Sequence, residues 1–340
     1  MNGKGFSRIA IIGAGSWGTA LGNLLAENGK EVDLWVREEE VFQQIREQGV
    51  NRVFLPDVKL SPFLKPVSSF EEALFKKELV VLAIPSHVFR EVITGIRPYL
   101  PPDISLMAAT KGIENESLML MSQVTEDVLD TKCIPEFGCL AGPSFASEVS
   151  RKLPAAITIA GRDMAYAEKL QKVFNRDFFR VYVSDDLLGV QLGGAMKNVI
   201  AIAAGVCDGL GFGHNARAAL ITRGLAEITR LGVSIGCNAH TFAGLAGLGD
   251  LVLTCTSDLS RNRTVGYRIG KGESLEEITV GMRMVAEGVK TTKSAYQLGR
   301  RKEVVMPITN EMYRILYEEK KPKEAVRDLM MRDLKVELEN

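Results

Sequence analysis

The chain has 340 residues, 42 Lys plus Arg against 42 Asp plus Glu, and 46% apolar residues, so it has room for two packed cores and no net charge. Without an overall basic field, neither nucleic acid nor a membrane surface is expected as a partner. Five scattered cysteines (Cys133, Cys139, Cys207, Cys237 and Cys255) without CxxC spacing, and three histidines with no acidic cluster, argue against a disulfide framework and a metal site and predict reduced thiols in a cytoplasmic protein.

Residues 8–18, RIAIIGAGSWG, open the pattern. A short apolar run predicts a strand over 9–12, and Gly13, Gly15 and Gly18, spaced GxGxxG, predict a tight turn into a helix over 16–27. Gly13 suits the turn, Gly15 lets a pyrophosphate approach the backbone, and Gly18 lets the helix lie close to the strand. The helix N-terminus then offers free N–H groups to an anion. Gly29 marks a helix stop before a second strand over 31–36, completing a βαβ unit. The opening apolar run is too short for a secretory signal. Strand two ends at Arg37, where a dinucleotide-binding unit usually carries an acid for the adenosine ribose. A cation there suits a 2′-phosphate; the alternative is a solvated surface arginine. Glu38, Glu39 and Glu40 read as first-turn acids that complement a helix dipole.

Further strands are predicted over 79–84, 104–109, 136–140, 155–160 and 178–183, with helices from about 87 and over 165–174. In a doubly wound sheet, ligands lie beyond the carboxyl ends of the strands, which brings Lys111 and the AGPSFA turn at 141–146 toward the site. In that turn Gly142 and Ser144 leave backbone N–H groups and a hydroxyl open to an oxyanion. After residue 188 the texture changes to long segments rich in Ala, Leu, Gly and Met at helical spacing. The expected architecture is α/β: an N-terminal Rossmann-type sheet domain over 1–188 that binds a dinucleotide, then an all-α C-terminal domain over 189–340 that binds substrate. The helix over 187–207 is apolar on most sides yet carries Lys197, where a lysine is costly unless it has partners or a task. Its most apolar stretch, 199–206, falls short of a membrane span. Asp250, on a glycine-rich turn, fits a helix cap as well as a site. Ser260, Arg261, Asn262 and Arg263 present a hydroxyl, a guanidinium fork and an amide in succession, a natural set for a phosphate group, although such a run also serves as a polar turn. Helices over 307–317 and 323–336 complete the chain.

Seven motifs in series, GAGSWGTA at 13–20, ATKGIE at 109–114, AGPSFASE at 141–148, AMKN at 195–198, GLGDL at 247–251, SRNR at 260–263 and VAEGVKT at 285–291, resemble the bacterial type of the NAD(P)-dependent glycerol-3-phosphate dehydrogenase family over nearly the whole chain. The resemblance implies a soluble cytoplasmic homodimer that uses NADPH or NADH, without metal, to interconvert dihydroxyacetone phosphate and sn-glycerol 3-phosphate for glycerophospholipid synthesis. By position in those motifs, Gly13, Gly15, Ser16, Trp17, Gly18, Arg37, Ala146, Val285 and Glu287 are implied cofactor contacts. Lys111, Gly142, Ser144, Asp250, Ser260, Arg261 and Asn262 are implied around the substrate, Lys111 and Arg261 also near the cofactor, and Lys197 matches the catalytic proton acceptor.

Elementary chemistry agrees with that assignment. In the reducing direction negative charge develops on the ketone oxygen, and an ammonium at Lys197 can stabilise and then protonate it. Burial and a second cation at Lys111 should lower the Lys197 pKa, while Asp250 opposes that shift. A phosphate held by Arg261 and Asn262 takes no part in bond making, but its binding energy positions the ketone. Two other readings remain open at this point. A β-hydroxyacid dehydrogenase shares the sheet half and a helical lysine but needs a carboxylate site, and a non-catalytic dinucleotide sensor has no use for Lys111 and Lys197.

Overall fold

In the computed structural model, which describes residues 5–129, 136–280, 286–334 and 336–337, β1 (Arg8–Ile12) sends Ile9 and Ile11 to one face of a sheet and Ala10 and Ile12 to the other. All four are fully buried, so both faces of the sheet must be covered. α1 (Ser16–Glu27) covers the first face with Leu21, Leu24 and Leu25. β2 (Glu31–Trp35) returns parallel to β1 and leads through α2 (Glu39–Gln43) to a short antiparallel pair, β3 (Val50–Asn51) and β4 (Leu55–Lys59). β5 (Leu64–Val67) then extends the sheet beyond β2. The three strands β3 to β5 are additions to the pattern expected from sequence.

On the other side of β1 the chain runs through α3 (Phe70–Leu74), β6 (Leu79–Leu82), α4 (Phe89–Ile96), β7 (Ser105–Ala108), α5 (Met121–Val128) and β8 (Phe137–Ala141). α6 (Ala146–Ser150), β9 (Ala155–Gly161), α7 (Met164–Phe174) and β10 (Phe179–Ser184) follow. Phe89, Ile93 and Ile96 of α4 cover the second face. The eight strands lie in the order β10-β9-β8-β7-β6-β1-β2-β5, parallel throughout except where β8 meets β9. Strand order reverses at β1, as in a Rossmann sheet, and the crevice beyond its carboxyl end is where such sheets hold ligands.

From Leu187 onward the described residues are helical or looped: α8 (Leu187–Gly209), α9 (His214–Ser234), α10 (Ala239–Ala243), α11 (Asp250–Thr256), α12 (Arg261–Gly270), α13 (Leu275–Val280), α14 (Glu287–Arg301), α15 (Pro307–Tyr317) and α16 (Pro322–Met330). α8 is long and apolar enough to cross a membrane, but 89% of its most apolar window is buried inside the protein, where it forms the axis of the helical core. α16 stops at Met330 instead of continuing to 336, because Met331, Leu334 and Val336 find nothing to pack against and stay exposed. The four described cysteines are buried and free, and Cys133 lies outside the described residues.

The contact that positions the site is between α8 and α12. A Cβ built on Gly266 would lie 1.9 Å from the Ile202 carbonyl oxygen, and one on Gly205 would lie 2.0 Å from that of Arg263. The two backbones therefore touch, which lays the first turn of α12 against the middle of α8. Gly266→Val is expected to force the helices apart and to cost about 2 kcal/mol or more, read as a fall of several degrees in thermal midpoint. An unchanged midpoint would show that the helices separate at no cost.

Candidate active site

Beyond the carboxyl ends of β1 and β6 lies a cavity of about 770 Å³. One end is the turn after β1. Gly13 has φ +115°, and a Cβ on Gly18 would fall 1.9 Å from the Gly13 carbonyl oxygen, so the turn and the close approach of α1 both require glycine. Gly15 differs. A Cβ there would meet nothing within 4 Å, so the protein keeps open space in front of that backbone. α1 has no side-chain cap at Gly15, and the buried Trp17 Nε1 has no hydrogen-bond partner among the described residues. Open backbone, an uncapped helix N-terminus and an orphaned donor fit the pyrophosphate and ribose of a dinucleotide. Ser16 donates to the Phe54 carbonyl at 2.5 Å. Trp35 and Phe70, with ring centroids 4.6 Å apart, give an apolar slot beside Arg37.

The other end is built by helices. Asp250, the first residue of α11 and only 1% exposed, stands between two ammoniums. Its Oδ1 accepts from Lys197 Nζ, and its Oδ2 accepts from Lys111 Nζ at 2.8 Å and from the Gly142 N–H at 3.3 Å. Burial pulls the Lys197 amine down to about 7; Asp250 resists that shift and Lys111 adds to it. Burial alone would raise the Asp250 carboxyl, but the two cations outweigh it and hold the group below its ordinary range. Thr254, one helical turn on, donates to the Asp250 carbonyl at 2.6 Å and sits 3.4 Å from Oδ1. A lysine that titrates near neutral pH, aimed by a fixed carboxylate, can both give and take a proton.

Arg261, the first residue of α12, lines the same cavity. Burial weakens its hold on its proton and the nearby Glu287 strengthens it. Asn262 donates through Nδ2 to Asn198 Oδ1 at 2.9 Å and accepts from the Gly288 N–H at 2.9 Å, which leaves one Nδ2–H for a ligand. Glu287, at the start of α14, accepts from the Ser86 N–H at 3.3 Å and from its hydroxyl at 2.5 Å, and burial raises its carboxyl pKa.

Gly13, Gly15, Ser16, Trp17, Arg37, Lys111, Ser144, Ala146, Lys197, Ser260, Arg261, Asn262 and Glu287 thus line one cavity. Gly18, Gly142 and Asp250 support it from behind. Val285 lies outside the described residues. Three expectations need correction, those for Gly142, Ser144 and Glu38. The Gly142 N–H is bonded to Asp250 instead of standing open, and the Ser144 hydroxyl donates back to the Gly142 carbonyl at 3.1 Å. Ser260 Oγ caps α12 by accepting from the Arg263 N–H at 3.3 Å, a bond that uses an acceptor lone pair and not the hydroxyl's own donor, so this cap does not contradict its expected place beside a phosphate. Glu38 is not a first-turn acid: it precedes α2, and its carboxylate is bonded to Arg37. Thr254 and Ser86 carried no expectation from the sequence, and Asn198 stood in the AMKN motif without an assigned role. The i+4 spacing of Thr254 from Asp250 was the one available signal. Among the described residues, no group of three or more His, Cys, Asp and Glu could hold a metal ion.

Known proteins resemble this chain over nearly its whole length. The family models described as the N-terminus and the C-terminus of NAD-dependent glycerol-3-phosphate dehydrogenase match residues 8–167 and 186–327. A relative from Geobacter sulfurreducens named glycerol-3-phosphate dehydrogenase (NAD(P)+) is 54% identical over 330 residues, covering 97% of this chain and 98% of the relative. One of the same name from Syntrophobacter fumaroxidans is 53% identical over 331 residues, covering 97% of each. The crystal structure of glycerol-3-phosphate dehydrogenase from Coxiella burnetii superposes with a TM-score of 0.92 at 38% identity, over 96% of this chain and 99% of that one.

Proposed function

The chain belongs to the NAD-dependent glycerol-3-phosphate dehydrogenase family, and from that membership we propose that its cavity interconverts dihydroxyacetone phosphate and sn-glycerol 3-phosphate with Lys197 as acid and base. It is an NAD(P)-dependent oxidoreductase. The observation that carries the proposal is that one continuous cavity is lined by the glycine turn after β1 and by both Lys197 and Arg261.

Bound NAD(P)H supplies the hydride. In reduction the Lys197 ammonium stabilises the oxyanion growing on the ketone and then protonates it; in oxidation the neutral amine removes the hydroxyl proton. Asp250 keeps the amine aimed and shares its second oxygen with Lys111, so the two cations are spaced by one carboxylate. Arg261 and the free Nδ2–H of Asn262 hold the substrate phosphate, and Glu287 sets the charge balance around Arg261. The proposal extends to a dinucleotide-binding domain over 1–188, a substrate domain over 189–340 and a cytoplasmic homodimer that supplies glycerophospholipid synthesis, which the family resemblance supports.

Following NADPH and NADH oxidation with dihydroxyacetone phosphate and with dihydroxyacetone tests the reading. The phosphorylated ketone should be strongly preferred, and preference for a β-hydroxyacid would overturn it. The pH dependence follows from Lys197. Because its pKa is lowered to about 7, kcat/KM for reduction should be level below that pH and fall about tenfold per unit above it, whereas oxidation should rise through the same pH and then level off. Profiles flat from pH 6 to 9 in both directions would remove Lys197 as the titrating group.

A further inference from the structure

At the end of β2 the chain passes through Arg37 and Glu38 into α2. Glu38 holds the N-cap position with extended backbone, φ −83° and ψ 119°, yet its side chain makes no capping hydrogen bond. Its Oε1 instead accepts from both Nε and Nη2 of Arg37, at 3.1 and 2.7 Å. Both residues line the cavity beside Trp35 and Phe70, and the side chains are 72% and 35% exposed, so the pair lies at the open rim.

The end of this strand is where dinucleotide-binding sheets read the adenosine ribose. A carboxylate there accepts from the ribose hydroxyls of NAD, and a cation takes the 2′-phosphate of NADP. This chain carries both groups in adjacent positions and bonds them to each other. We propose that Glu38 is a specificity-determining residue that holds Arg37 and turns 2′-phosphate binding into a competition for that guanidinium. A 2′-phosphate must take Arg37 from Glu38 and then sit beside a carboxylate. A ribose diol leaves the pair intact and gains Glu38 as an acceptor. Arg37 alone would make the site an NADP reader, and the pair makes it accept both nucleotides. The inference rests on the reading of this cavity as the NAD(P) site.

Fluorescence titration of the purified protein with NADPH and with NADH gives the two dissociation constants without turnover. For Glu38→Gln the ratio of the NADH to the NADPH constant should rise at least about threefold, chiefly through tighter NADPH binding, and the rise should shrink in high salt, because the charges involved are exposed. The same substitution made on an Arg37→Ala background should move the ratio much less. A ratio that changes less than threefold, or two nucleotides that weaken together, would overturn the proposal, since a merely structural role affects both alike. A shift undiminished without Arg37 would also overturn it. A wild-type protein that binds neither nucleotide would overturn the cofactor reading itself, whereas binding of both with an unmoved ratio in Glu38→Gln overturns this inference alone.

Discussion

Lys197→Met is expected to lower turnover at least about a hundredfold, the usual scale of general acid–base catalysis, while fold and nucleotide binding persist. Methionine keeps most of the lysine stem and fills the same space in α8, so no cavity opens in a helix whose neighbours are all buried. Nor does the substitution strand Asp250 as a bare buried charge, because Lys111 still pairs with Oδ2 at 2.8 Å. Breaking a buried pair is costly when it leaves an uncompensated ion, and here compensation remains. Thermal midpoint and NADPH binding measured beside kcat separate chemistry from folding. A variant with near-normal turnover would take Lys197 out of the mechanism.

The reason Lys197 could be found in the sequence is that a lysine in an apolar helix conflicts with its surroundings. Asp250 gave no such signal. An aspartate after glycines fits a helix start equally well, and it does begin α11; its role comes from Lys111 and Lys197, 139 and 53 residues away, which only the fold brings to it. Ser86 and Glu287 meet across 201 residues, and neither flanking sequence announces the other. Ser144 and Gly142 looked available because a turn rich in small residues exposes its donors locally, while the acceptors that occupy them come from Asp250 and from the turn itself.

The fold divides in the same way. β1, β6 and β7 were legible because strands buried on both faces are continuous apolar runs. β4, LPDVK, and β5, LKPV, carry polar residues and prolines that local propensity assigns to loops, and β5 is a strand because it is an edge that pairs only with β2. The antiparallel placement of β9 beside β8 has no local signature, since each strand alone reads the same in either direction. The end of α16 was misjudged for the opposite reason. The apolar spacing continues through Leu334, but nothing packs against it.

Arg261→Ala should lower kcat/KM for dihydroxyacetone phosphate at least about tenfold and affect dihydroxyacetone far less. A guanidinium facing a phosphate dianion in a closed site makes charge-assisted, fork-shaped hydrogen bonds of about 1.5 to 3 kcal/mol, and roughly 1.4 kcal/mol corresponds to one decade. That energy is made with a group remote from the reacting carbon, so it acts by holding the ketone against Lys197 and the nucleotide, and its loss falls mainly on phosphorylated substrate. Added phosphite should therefore partly restore the reaction of dihydroxyacetone in the unmutated enzyme and fail to do so in Arg261→Ala. Removing Arg261 also takes a cation from beside Glu287, whose carboxylate keeps its bonds to Ser86, so nucleotide affinity must be measured in the same variant. If nucleotide binding is unchanged and both ketones lose activity equally, the phosphate is anchored elsewhere, and a carboxylate-bearing substrate becomes the better account of the cavity.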